Sequence, residues 1–279
     1  MAYKNVLVHV KTNEEWSPHI DYAFGIASHF AARIIGMAIF DDIAVLRKHA
    51  RFGHERMIQR AVEDQAAENE KVSAALKRRF ADAARERGLS HDFVAAEGQL
   101  LRMLPWAARL HDLTIVEQPD PDKDENGHEA AEETALSSGR PLIIAPQSSA
   151  LVPVPKVLLL AWNGSREAAA AVQGALPFLA GTRRVSVLMG EREDQSPRAA
   201  VPQLNIEASI RAHVKEVSIE RVSSSNDTIG PEILARADRV GAELIIMGAY
   251  GRPRLSELLL GGATHHVFRN AMRPVLMNH

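Results

Sequence analysis

The sequence predicts a doubly wound parallel α/β fold used twice in tandem, over residues 1–150 and 151–279. Short apolar runs of strand length alternate with longer segments of helical periodicity along the whole chain, the alternation of a parallel sheet covered by helices. The alternation runs through once and then begins again in the same order. Between the two passes stands Ser148-Ser149-Ala150-Leu151-Val152-Pro153-Val154-Pro155, whose proline and serine content is that of a short linker.

The first pass offers strands at Asn5–Val10, Ile34–Phe40, His91–Ala96, Leu113–Glu117 and Pro141–Ala145. The second offers Lys156–Trp162, Arg184–Met189, Glu216–Val222, Leu244–Gly248 and Pro274–Met277. These runs are mostly apolar rather than alternating, as strands buried on both faces require. Helices are expected in matching pairs: Pro18–Arg33 with Arg166–Ala180, Glu55–Gly88 with Gln203–Val214, Leu100–His111 with Thr228–Val240, and Ala130–Ser138 with Thr264–Ala271. The longest carries Val72, Leu76 and Phe80 at i, i+4 and i+8 among charged residues, the stripe of a helix that covers a sheet. Gly139-Arg140-Pro141-Leu142-Ile143-Ile144 and Met272-Arg273-Pro274-Val275-Leu276-Met277 are the closest local echo between the halves.

Composition narrows the function classes. Hydrophobic residues make up 46% and charged residues 24%, the balance of a soluble globular protein. No apolar run reaches the 18 or so residues that a membrane span needs, and the first residues lack the apolar stretch of a secretory signal. A cytoplasmic location is therefore expected, with no membrane partner. With 0 cysteines, disulfides, thiolate metal sites and cysteine catalysis are excluded. A net charge of −2 gives no reason to expect nucleic acid as a partner. The first 150 residues carry 18 Lys and Arg against 23 Asp and Glu, and the remainder 15 against 12, so an anion is better received in the second half.

The chemistry concentrates in one segment. Leu244-Ile245-Ile246-Met247 reads as a buried strand; Gly248, Gly251, Gly261 and Gly262 follow it, and a helix begins near Thr264. Glycines between a strand end and a helix start let the backbone approach a ligand and aim N–H groups at it. With a helix dipole behind them, such groups suit a phosphate. A doubly wound sheet binds ligands at the carboxyl ends of its strands where strand order reverses. The loop after the first strand of the second half, Ala161-Trp162-Asn163-Gly164-Ser165, should face the same crevice. There Asn163 is either a hydrogen-bonding contact for a ribose or base, or a turn and helix-capping residue.

The duplication, the order of elements and the segment from Ile245 to Thr264 resemble the universal stress protein family in its tandem two-domain form. ATP-binding members of that family carry Gly-x2-Gly-x9-Gly-Ser/Thr, and Gly248, Gly251 and Gly261 fall on its three glycines. The resemblance implies two Rossmann-like (adenine nucleotide alpha hydrolase-like) domains, each a five-stranded parallel sheet of order 3-2-1-4-5 with helices on both faces. It implies ATP or another adenine nucleotide as ligand, with or without Mg. The adenine would lie near the first two strands, where Gly190 falls, and the phosphates on Gly248, Gly251, Gly261, Gly262, Ala263 and Thr264. It also implies an intramolecular, dimer-like pairing of the halves through their last strands, and leaves room for a homodimer of the whole chain.

Two departures bear on affinity. Gly262 stands where the family has Ser or Thr, which removes a hydroxyl while leaving a backbone N–H; Thr264 either supplies a hydroxyl instead or caps the helix. Asn163 stands where the family has aspartate. A missing hydrogen bond to a charged group costs about 1.5–3 kcal/mol, or about ten- to a hundredfold in affinity.

The first half departs further. Lys11 replaces the aspartate after its first strand, and Glu117-Gln118-Pro119-Asp120-Pro121-Asp122-Lys123-Asp124-Glu125-Asn126-Gly127 stands where a glycine loop would be. This half is expected to keep the fold and to have lost the nucleotide. The same acidic stretch, Asp122-x-Asp124-x-Asn126-Gly127 with Glu133 beyond, matches a calcium-loop pattern. The strand and the prolines Pro119 and Pro121 before it argue against the helix that such a loop needs. His265 and His266 are adjacent, so on a helix they point about 100° apart and do not share a metal. No Gly-x-Ser-x-Gly elbow or Gly-x4-Gly-Lys-Ser/Thr loop is present. Three functions follow in order of support: a nucleotide-binding stress-response regulator, the same fold acting as a nucleotide-free scaffold, and an adenine-nucleotide hydrolase. For the last, no set of base, nucleophile and metal ligands is visible, and no catalytic role is expected.

Overall fold

The computed structural model describes residues 2–13, 16–42, 55–120, 124–147, 150–190, 204–223, 228–249 and 262–279. The first half contributes β1 (Asn5–His9), α1 (Pro18–Phe30), β2 (Arg33–Phe40), α2 (Glu55–Glu86), β3 (His91–Glu97), α3 (Leu100–Ala108), β4 (Leu113–Glu117), α4 (Glu125–Ser137) and β5 (Leu142–Ala145). The second half repeats the series with β6 (Val157–Trp162), α5 (Arg166–Leu179), β7 (Arg184–Gly190), α6 (Ile206–Arg211), β8 (Glu216–Val222), α7 (Ile229–Val240), β9 (Leu244–Gly248), α8 (Gly262–Asn270) and β10 (Val275–Asn278).

All ten strands form one sheet, in the order β3-β2-β1-β4-β5-β10-β9-β6-β7-β8. Every pairing is parallel except the central one, where β5 and β10 run antiparallel with Val275 opposite Ile144, Leu276 opposite Ile143 and Met277 opposite Leu142. These central strands are four residues each and buried throughout. The Arg-Pro dipeptide before each marks its start, since proline cannot donate to the ladder and is tolerated at a strand's beginning.

Alternation along the strands divides the core into two layers. Leu158, Leu160, Leu244, Ile246 and Leu276 face one layer with Phe24, Phe80 and Phe178. Leu159, Ile245, Met247, Val275 and Met277 face the other with Leu104, Ala131, Val267 and Phe268. Each layer draws residues from both halves, so the apolar burial that stabilises one half also holds it to the other. A large apolar side chain buried to this degree contributes roughly 1.5–3 kcal/mol.

The seam is reinforced on both sides. Tyr3 of the first half meets Phe178 of the second edge-on at 5.5 Å, and Phe30 stands edge-on to both rings. The Tyr3 hydroxyl donates to the carbonyl of Gly174, and burial raises its pKa well above the ordinary value. Near the other layer, Gln118 Nε2 donates to the carbonyl of Phe268 at 2.9 Å.

Helices α1 and α3 end three residues earlier than expected, and two others differ more. α4 begins at Glu125, five residues before the expected Ala130, because Asp124 caps it: Oδ1 accepts from the Gly127 N–H at 2.9 Å. α6 is shorter than expected and starts behind Asn205, whose side chain accepts from the Ala208 N–H at 2.9 Å. The early start of α4 also places Asn126, Gly127 and Glu133 inside a helix rather than in a calcium loop; Asp122 lies outside the described residues.

Candidate functional site

In the second half the chain runs from β6 outward to β7 and β8, then returns to the other side of β6 for β9 and β10. Strand order therefore reverses between β6 and β9, and their carboxyl ends flank the crevice where this architecture takes ligands. The residues at those ends are Asn163 and Gly248, with Gly190 ending the neighbouring β7.

Asn163 is exposed, and its Oδ1 accepts from the Ser165 N–H at 3.1 Å. This side-chain turn is completed by Gly164 at φ +73, a left-handed value that glycine adopts without penalty. The helix cap is the next residue, Ser165, whose Oγ accepts from the Ala168 N–H at 3.1 Å. Asn163 is thus a turn residue and not the cap. One lone pair of its oxygen is used in the turn, which leaves the other and Nδ2 to offer a ligand.

Behind the turn, the first turn of α5 holds Glu167, 4% exposed, with Oε1 at 2.5 Å from the Arg166 Nε. Burial alone would raise the Glu167 pKa, but bonds from Arg166, its own backbone N–H and Ser165 outweigh it and hold the carboxyl below its usual value.

Gly248 and Gly190 are glycines for different reasons. A Cβ on Gly248 would lie 2.6 Å from the Ala168 nitrogen and 2.7 Å from the Glu167 carbonyl carbon, so α5 packs directly on the strand end. A Cβ on Gly190 would meet no described atom within 4 Å. Gly248 is required by helix packing, whereas no described atom crowds Gly190.

α8 begins at Gly262, which is exposed. The first N–H groups of a helix have no partner within it, so Gly262 and Ala263 present donors at a positive dipole end. Thr264 is 5% exposed and stands third in the helix, so it is not the cap. Gly251 and Gly261 lie outside the described residues.

The equivalent crevice of the first half is filled from within. Lys11 Nζ lies 2.7 Å from Glu117 Oε2 and 3.0 Å from Asp124 Oδ2. Burial alone would lower the Lys11 pKa, but the hydrogen bonds and charges of Glu117 and Asp124 outweigh it and leave it raised. The lysine that replaces the family aspartate thus clamps the ends of β1 and β4 to the cap of α4. Lys11→Met should destabilise the protein by about 2 kcal/mol at pH 7, read as a lowered urea midpoint, because it strands the nearly buried Glu117 without a counter-charge. Adding Glu117→Gln should recover part of that loss. A single variant as stable as the wild type would show that the clamp carries no structural weight.

Next to this clamp, His19 Nε2 lies 2.8 Å from the carbonyl oxygen of His9. Burial, then the neighbouring His19 and Lys11, lower the His9 pKa to about 4, against a small opposing effect of Asp124. Burial lowers the His19 pKa as well, against its hydrogen bond to the His9 carbonyl and the charge of Glu117.

A surface groove of about 390 Å³ is lined by Trp16, Asp21, α2 residues between Ala75 and Glu86, and Arg87. Within it Arg87 pairs with Asp21 at 3.1 Å, and Arg79 stacks over Trp16 at 4.7 Å. It belongs to first-half helices and not to the strand ends, so it is set aside as the ligand site. Among the described residues, no helix is long and apolar enough to cross a membrane.

Residues 155–279 match the model of the universal stress protein family. The second half is a universal stress protein domain. A universal stress protein from Archaeoglobus fulgidus overlays on 98% of this chain and 95% of its own, with a TM-score of 0.68 and 16% identity. A putative universal stress protein from Pseudomonas aeruginosa overlays on 99% of this chain and 93% of its own, with a TM-score of 0.62 and 16% identity. At this identity the likeness establishes the fold of the whole chain, including the half outside the family match. Universal stress protein MJ0577 of Methanocaldococcus jannaschii is 41% identical over 46 residues, which span 16% of this chain and 28% of that relative. Another universal stress protein, solved in complex with cAMP, overlays on 53% of this chain at a TM-score of 0.36, too slight a likeness to carry an inference about ligand.

Sequence reasoning placed Asn163, Gly190, Gly248 and the start of α8 around one crevice, and the fold brings the strand ends Asn163 and Gly248 to its rim. It missed the Lys11 clamp. The signal was available: a lysine replacing an acid after β1, facing an acidic run after β4.

Proposed function

We propose that the second half of this chain binds ATP or another adenine nucleotide at the carboxyl ends of β6, β7 and β9, with Mg as the counter-ion of the phosphates. The chain then acts as a cytoplasmic stress-response regulator, in which the ligand biases stability and choice of partner, rather than as an enzyme. The observation that supports this best is the reversal of strand order between β6 and β9, with Asn163 and Gly248 at its two rims. No described atom crowds Gly190, which suits the flat adenine, and the N–H groups at the start of α8 suit phosphate. The Lys11 clamp supports a single site, because it fills the corresponding place in the first half with an internal ion cluster. The antiparallel β5–β10 junction takes the role that a dimer contact would have between separate domains.

Mass spectrometry of ligand released from freshly purified protein should identify an adenine nucleotide. In titrations of the full chain, Gly251→Leu and Gly261→Leu should abolish ATP binding. Gly262→Ser, which restores the family hydroxyl, should tighten it by about tenfold or more. Undiminished binding in both leucine variants would place the nucleotide elsewhere, with the first half as the next place to look. Absence of any nucleotide, bound or titrated, would favour the scaffold reading.

A further inference from the structure

The early start of α4 creates a constellation that belongs to neither crevice. His128 and Glu132, at i and i+4, share one face of α4, and His265 reaches the same point from the first turn of α8. His128 Nε2 lies 3.2 Å from Glu132 Oε1, and His265 Nδ1 lies 3.7 Å from that same oxygen. One ligand atom from each of the three falls within 4.8 Å of the others. Tetrahedral zinc, with bonds of about 2.0–2.1 Å to nitrogen and oxygen, sets its ligand atoms about 3.3 Å apart. The shorter two distances bracket that spacing.

The imidazole nitrogens here are poorly satisfied by the protein itself. His128 is 9% exposed; its Nδ1 has no hydrogen-bond partner and its Nε2 meets only Glu132, while Nδ1 of His265 is also buried without a hydrogen bond. Burying such groups unbonded costs free energy, which a bound cation would offset. The His128 ring is held edge-on to Phe268 at 4.5 Å and to His265 at 5.7 Å, so its orientation is fixed. Burial lowers the His128 pKa, against the raising effect of Glu132 and with smaller lowering effects of Arg269 and His265.

We propose that His128, Glu132 and His265 form a site for a divalent transition-metal ion, zinc by its nitrogen and oxygen donors, with water in the fourth position. The site links the two halves, α4 from the first and α8 from the second. It stands three residues beyond Gly262, so an ion there fixes the helix start that follows the glycine segment. The proposal stands whether or not nucleotide binds.

The test is calorimetric and spectroscopic, on the full chain after chelator treatment and with no nucleotide present. Zinc should bind at one equivalent and raise Tm, and Mg²⁺ should do neither. Co²⁺ should give the visible absorption of a tetrahedral site. Glu132→Gln and His265→Gln should each weaken zinc binding by more than the ten- to hundredfold or so that loss of an outer-shell partner costs, with the Co²⁺ spectrum lost. Both residues are only partly buried, so these variants keep the test independent of folding; His128→Ala, which also loses packing on Phe268, should behave alike if it folds. Zinc binding that is absent, or unchanged in both glutamine variants, would overturn the proposal.

Discussion

Gly248→Val is expected to destabilise the protein by about 3 kcal/mol, the upper part of the range for overpacking a rigid contact, and to lower Tm by about 6–12 °C. The expectation rests on what the new atoms would meet. A Cβ at this position would lie 2.6 Å from the Ala168 nitrogen and 2.7 Å from the Glu167 carbonyl carbon. These are backbone atoms in the first turn of α5, and they cannot rotate away as a side chain would. Relief would require α5 to lift from the sheet, taking with it Ala171 and Ala175, both fully buried. Gly190→Ala is the control, since its Cβ would meet nothing described within 4 Å, and it should stay within about 0.5 kcal/mol of the wild type. Thermal melts of the two variants side by side decide the matter. A Gly248→Val protein that melts with the wild type would mean that α5 does not press on the end of β9.

Acid is the second large effect. An ordinary histidine has a pKa of 6.5, and that of His9 is lowered to about 4 in the folded protein. The folded state therefore binds fewer protons than the unfolded state between these values. Stability is complete above about pH 6.5, declines as pH falls towards 4, and declines no further from this group below that. The difference corresponds to about 3 kcal/mol, a ceiling because His9 keeps some surface at the strand end. His19 acts in the same direction. Urea midpoints measured from pH 7 to pH 4.5 should fall, and His9→Gln should remove about 2–3 kcal/mol of that fall. The hydrogen bond from His19 reaches the His9 backbone carbonyl and survives the substitution. Parallel pH profiles for variant and wild type would show that His9 is not the acid-sensitive group.

Much of the fold was legible in the sequence because strand burial is a local property. Val157–Trp162 and Leu244–Gly248 are continuous apolar runs, and a strand covered on both faces has nowhere to place polar residues. The glycine segment was legible for a similar reason, since its spacing is confined to one stretch of chain. Helix ends were less so. α4 starts at a cap, Asp124, that reads in sequence as one more acid in an acidic loop, and only its bond to the Gly127 N–H separates cap from loop.

The sequence by itself determined the duplicated α/β plan, the placing of the glycine segment after a buried strand, and the absence of cysteine chemistry. All of these are read from residues close together in the chain. Only the tertiary structure decided why Gly248 is glycine, since the atoms that crowd it come from α5, some eighty residues earlier. It also decided that Lys11 closes the first crevice on Glu117 and Asp124, and that His128, Glu132 and His265 converge across the two halves. Each of these depends on distances between residues far apart in sequence, and periodicity holds no record of such distances. The packing of a ten-stranded sheet with helices on both faces sets them.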